Sequence, residues 1–150
     1  MLTLINMLEI RSDFLTVNLN KLVALMQSRA EKILNTEYGI TYSQFLVLHT
    51  INTLHSPTQQ NISVCLNITG AGISKIIEKL LPIGFITREV NVTNRRANII
   101  QLTKKGKRII DSALQRLEKE FDKKISVTDK KIMSDITNTT IVNLLKTYEK

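Results

Sequence analysis

The chain has 150 residues, 43% hydrophobic and 23% charged, with one cysteine and a formal net charge of +8. These are globular rather than disordered proportions, and the length suits a single compact unit with appended arms. A lone thiol excludes an intrachain disulfide framework and suits a reducing compartment, and no apolar run reaches the roughly 18 residues that span a bilayer.

Five Gly, two Pro and no Trp point to a mainly helical protein with a Leu- and Ile-built core. Met1–Phe14 is mildly apolar but has neither a basic leader nor a small-residue cleavage site, so a cytoplasmic protein is expected. Met1–Asn35 carries helical spacing, with Leu15, Leu19, Leu22, Leu25, Met26 and Ile33 on one broad face. Ser12 or Asp13 is expected to cap this helix and Tyr38-Gly39 to close it. A helix of that length outruns a small core, so its apolar stripe calls for the C-terminal helices or a second copy of the chain. Thr41–Leu54 predicts a second helix, with Phe45, Val47, Leu48, Ile51 and Leu54 turned inward. His49 and His55 lack acidic or cysteine partners at ligand spacing, so no metal site is expected.

Ser56-Pro57-Thr58 starts a short helix that should bury Ile62, Leu66 and Ile68, with Ser63 small enough for a close helix crossing. A second short helix follows after a tight turn, which is the layout of a helix-turn-helix. At about 100° per residue, Ile73, Ile76, Ile77 and Leu80 share its core side. Ala71, Ser74, Lys75 and Glu78 lie opposite, with Lys79 on the flank. Thr69 is the expected N-cap, placed with the N–H groups of Gly70–Gly72 for a phosphate; alternatively the two glycines mark a loop and the helix begins near Ile73. Pro82-Ile83-Gly84 ends the helix, and Phe85–Val92 and Ala97–Leu102 form a hairpin around Thr93-Asn94-Arg95-Arg96. A helix from about Lys107 to Lys124 and another from Thr128-Asp129 through Tyr148 follow. Ile109, Ile110, Ala113, Leu114, Leu117 and Phe121 form the apolar side of the first, and Ile132, Ile136, Ile141, Leu144 and Leu145 that of the second.

The charge is concentrated. Thr69–Arg108 holds nine basic and two acidic side chains, net +7, whereas the other 110 residues hold twelve and eleven, net +1. A local basic field on a helix and hairpin is the footprint of a nucleic-acid surface. The candidate DNA-contacting residues are Thr69, Ala71, Ser74, Lys75, Lys79, Arg88, Arg95 and Arg96. The fold class is therefore mainly α with a small β-hairpin: a winged helix-turn-helix (38–106) with N- and C-terminal helical dimerisation arms (1–37 and 107–150).

In order and spacing these pieces resemble the MarR-type transcriptional regulators. The likeness rests on Ile62–Ile68, Ile73–Leu80, Gly84-Phe85-Ile86-Thr87-Arg88, and Asn94-Arg95-Arg96 followed by Leu102-Thr103-Lys104-Lys105-Gly106. It covers Tyr38–Gly106 by motif and the flanks by helical arrangement. It implies a homodimer on a pseudo-palindromic operator, its recognition helices in major grooves about 34 Å apart. It also implies a repressor released by a small phenolic or lipophilic effector, with no cofactor; some members respond instead to thiol oxidation or metal. Asn94 and Asn91 stand where the family usually has aspartates. Arg96, which matches the family's wing arginine, therefore loses a charge-assisted brace.

Two alternatives remain. The basic segment could meet an acidic protein partner, or Cys65, beside the proposed DNA surface, could act as a redox switch, although no basic residue lies near it in sequence to lower its pKa. An enzyme is disfavoured by the lack of a Ser/His/Asp set, HExxH, P-loop or dinucleotide signature.

Overall fold

Five hydroxyl side chains set where helices begin. The Oγ1 atoms of Thr41, Thr58, Thr69 and Thr103 and the Oγ of Ser126 each accept a backbone N–H three residues ahead. Each satisfies a donor that a helix N-terminus leaves without an intrahelical partner. At Thr41 and Thr58 the bond is reciprocated by Gln44 and Asn61, closing two capping boxes. The computed structural model of the chain describes residues 14–90 and 98–146. Within them lie α1 (Leu15–Tyr38), α2 (Tyr42–Leu54), α3 (Gln59–Leu66), α4 (Gly70–Leu80), β1 (Ile86–Val90), β2 (Asn98–Leu102), α5 (Lys104–Asp122) and α6 (Val127–Leu145).

The chain divides into two compact units, Met1–Ile110 and Asp111–Lys150. In the first, α2 is central and touches α1, α3, α4 and β2. Leu34, Ile40, Leu48, Ile62, Ile73, Ile77, Leu80 and Ile100 are fully buried there. At about 1.5–3 kcal/mol for each aliphatic side chain, this cluster is the main favourable term holding the unit together. β1 and β2 pair antiparallel, Ile86 opposite Leu102 and Val90 opposite Asn98. The segment before α3 joins their edge: Ile100 N–H donates to the Pro57 carbonyl at 2.9 Å, and Thr58 bridges to Ile99.

In the second unit, Ala113, Leu117 and Glu120 are buried, and Glu120 pairs with Arg116 at 3.1 Å and Lys123 at 3.9 Å. Lys130 of α6 bridges Glu118 and Asp122 of α5. Its hydrogen bonds to Asp122 and then to Glu118 raise its ammonium pKa above the ordinary 10.5.

Several expectations need correction. Ser12 and Asp13 lie outside the described residues, and α1 starts after Phe14 with no side-chain cap, while Gly39 closes it at φ +65° as expected. Leu15, Leu19 and Leu25 are exposed, because only the C-terminal part of α1, at Ala30, Ile33 and Leu34, reaches the core. Leu54 is exposed, and Leu66, Ile68 and Ile76 are only half-buried. α5 begins at Lys104 rather than near Lys107, because Thr103 caps it. Ile132, Ile136, Ile141, Leu144 and Leu145 are exposed rather than inside, and none of the described residues of α6 is buried. Among the described residues nothing covers that row.

Candidate nucleic-acid interface

The turn between α3 and α4 is held by backbone geometry and one hydroxyl. Asn67 takes the left-handed conformation at φ +51° that an α-helix C-cap favours. The Ser63 Oγ donates to the Ile68 carbonyl at 2.6 Å, and the Ile68 N–H returns to the Ser63 carbonyl at 3.1 Å. Thr69 then caps α4, so the helix begins at Gly70 and the glycines do not form a loop. Gly72 sits close to the turn: a Cβ there would lie 2.9 Å from Ile68 Cγ2, so that side chain would have to shift.

α4 separates cleanly into two sides. Ile73, Ile77 and Leu80 are buried, whereas Ala71, Lys75, Glu78 and Lys79 are exposed. Ala71, Lys75 and Lys79 stand four residues apart and therefore share one face. Ser74 departs from the expected arrangement. It is half-buried, donates to the Gly70 carbonyl at 3.0 Å and accepts from Gln59 Nε2 at 2.5 Å. A cleft of about 530 Å³ runs beside this helix, with Glu31, Gln44, Lys75 and Lys79 among its walls.

The hairpin follows directly. Gly84 at φ +73° turns the chain out of α4, and Arg88 sits exposed in mid-β1. Arg95 and Arg96, with Asn91 and Asn94, lie outside the described residues. At the hairpin root, Thr103 Oγ1 donates to the Gly84 carbonyl at 2.7 Å. Lys105 Nζ donates to the Ile83 carbonyl at 2.8 Å and lies 5.0 Å from the Phe85 ring centroid. Lys107 Nζ donates to Asn52 Oδ1 at 2.9 Å. Among the described basic residues of this segment, Lys105 and Lys107 therefore serve internal contacts.

Residues 40–97 match the family model described as the MarR family. The multiple antibiotic resistance protein MarR of Salmonella typhimurium is 24% identical over 120 residues, spanning 75% of this chain and 83% of that one. Over its winged helix-turn-helix the chain is similar to the MarR family. The wild-type apo crystal structure of MarR from E. coli superposes with a TM-score of 0.74 at 18% identity, covering 87% of this chain and 98% of that one. The MepR–DNA complex of S. aureus gives 0.70 at 20% identity, covering 88% and 99%. These likenesses give the chain the fold of a MarR-type winged-helix protein.

Within this winged helix-turn-helix, several supports of the candidate interface were hidden from the sequence. Gln59 bridges α3 to α4, and no periodicity or composition signal marks a glutamine for that role. Ser63 was expected to permit close helix crossing, yet it acts through its hydroxyl. Gly106 appears in the family motif, but its reason is spatial, since a Cβ there would meet the Phe85 carbonyl oxygen at 2.0 Å. Cys65 is exposed on α3. Among the described residues no cluster of His, Cys, Asp and Glu could hold a metal ion, and no helix is long and apolar enough to cross a membrane. Tyr42, at the start of α2, accepts no charge readily: burial raises its phenol pKa above 10.0. Its backbone N–H donates to Glu31 Oε2 at 2.5 Å, tying α2 to α1.

Proposed function

We propose that the chain is a homodimeric, sequence-specific DNA-binding repressor. One observation carries this reading: the exposed side of a capped α4 presents Ala71, Lys75 and Lys79, without a bulky apolar side chain among them, in the same unit as an exposed Arg88. Small residues at the start of a recognition helix allow close approach to a major-groove floor, and the lysines supply donors to base edges or phosphates. The α4 N-terminus at Thr69–Gly72 adds a positive dipole end suited to a phosphate. Arg95 and Arg96 are assigned to the wing tip by their position in the sequence, where arginines grip a minor groove or backbone. The structural likeness to S. aureus MepR, solved as a complex with DNA, supports the assignment.

The dimerisation reading is supported by α6, whose Ile136 is 62% exposed and Leu145 59%, and by the first half of α1, where Leu15 is 70% exposed. Rows of large apolar side chains on this scale call for a partner surface. A second copy meets that need symmetrically, with 1–37 and 107–150 as the dimerisation region and 38–106 as the DNA-binding region. Release by a small phenolic or lipophilic effector belongs to the same proposal. The cleft beside Lys75 and Lys79 would bring such a molecule against the reading helix.

The test is selection of bound sequences from a random duplex pool with the full chain, followed by binding measurements at several salt concentrations. The expected product is an inverted repeat bound with steep salt dependence. Recovery of no enriched sequence, with tight binding to an acidic protein instead, would overturn the DNA assignment.

A further inference from the structure

We propose that Gln59 is a positioning residue for DNA recognition, which holds the first turn of α4 in register and makes Ser74 part of that brace rather than a base reader. The inference rests on the DNA-binding function proposed above. Gln59 is the first residue of α3, directly after the Thr58 cap. Its carboxamide has two N–H donors. One meets Ser74 Oγ at 2.5 Å and the other the Gly70 carbonyl at 3.2 Å. The single Ser74 hydroxyl proton goes to the same Gly70 carbonyl at 3.0 Å, which closes a three-membered network.

The consequence for Ser74 follows from donor count. With its one proton committed and the side chain half-buried, Ser74 has no donor left for a base edge. The consequence for α4 follows from where the brace ends. Gly70 and Ser74 bound the turn that carries Ala71 and immediately precedes Lys75. A shift of about 1 Å in that turn takes a side chain out of hydrogen-bonding reach of a base edge. The other end is fixed as well. Thr58 bridges to Ile99, and the Ile100 N–H binds the Pro57 carbonyl at 2.9 Å, so Gln59 extends from a point already tied to β2. One side chain thus refers the reading turn to both α3 and the hairpin.

Gln59→Met keeps the length and neutrality of the side chain and removes both donors. With the full-length chain, affinity is measured for a duplex enriched from a random pool and for a scrambled duplex of equal length, across a salt series. Gln59→Met is expected to weaken binding to the enriched duplex about tenfold, on the scale of one or two neutral hydrogen bonds. Scrambled-duplex affinity and the salt slope stay at the wild-type values, because no phosphate contact is lost. Adding Ser74→Ala to Gln59→Met costs nothing further. Equal losses on both duplexes with a shallower salt slope would overturn the proposal by making Gln59 a phosphate contact. Additive losses would overturn it by making Ser74 a reader in its own right. Amide hydrogen exchange decides the brace without DNA: Gln59→Met speeds exchange in the first turn of α4 and not in α2. If the wild-type chain enriches no duplex, the DNA reading falls by itself, and unchanged exchange in α4 then overturns the brace independently.

Discussion

Gly106 packs so closely against Phe85 that a Cβ at position 106 would lie 2.0 Å from the Phe85 carbonyl oxygen. The Thr103 N–H also donates to that oxygen, at 3.0 Å, so the start of α5 and the root of β1 are fixed as one piece. Gly106→Ala must therefore push backbone from backbone. A loss of about 2–4 kcal/mol is expected, within the range of severe overpacking, read as a lower urea midpoint. Gly70→Ala is the matched control, since a Cβ there meets nothing within 4 Å and the residue is helical. Its stability should change by no more than about 1 kcal/mol, toward higher stability by helix propensity.

Basic residues within the same segment should behave differently. Lys75→Ala and Arg88→Ala are expected to weaken DNA binding and each lower the salt slope by about 1, with little change in folding stability. Lys105→Ala should leave the slope intact, because its ammonium is held by the Ile83 carbonyl and the Phe85 ring. It should instead cost about 0.5–1 kcal/mol of stability, the scale of an exposed cation–π contact. A salt titration of all three variants against one duplex, paired with urea unfolding, checks the distinction.

The exposed row on α6 gives a prediction about assembly. Ile136→Glu places a charge in the proposed dimer surface but, with the side chain 62% exposed, should not disturb the fold of a single chain. Sedimentation should show a dimer shifting to monomer, with helical circular dichroism retained. A dimer of unchanged strength would remove α6 from the interface.

Burial of Tyr42 carries a defined pH signature. Its phenol pKa is raised above 10.0, so the folded state holds the proton more firmly than the unfolded state does. The associated stability is fully present below the unfolded pKa and is lost as pH rises from there through the folded value. Tyr42→Phe should make unfolding stability less sensitive to alkali as the pH rises above 10.0, measured by urea titration. Phenolate absorbance of the wild type should show a late-titrating component that the variant lacks.

Local order was legible because it depends on neighbours in sequence. Thr41 and Thr69 announced their helices, the spacing of Ile73, Ile77 and Leu80 announced the buried side of α4, and Gly39 announced the end of α1. The same argument misjudged α6. Its spacing correctly marked an apolar row, but periodicity cannot say whether that row meets this chain or another. It also placed α5 three residues late, since Lys104-Lys105-Gly106 resembles a polar loop until Thr103 is recognised as the cap.

For the candidate interface, the sequence alone determined the concentration of positive charge, the helix-turn-helix and the side of α4 that faces away from the core. These are properties of composition and of the 3.6-residue period. Tertiary structure alone decided which of those groups are engaged internally. Ser74 is joined to Gln59 fifteen positions away, Lys105 to Ile83 across twenty-two, and Lys107 to Asn52 across fifty-five. Hydrogen bonds at such separations depend on where folding brings the donors, and linear spacing carries no record of that.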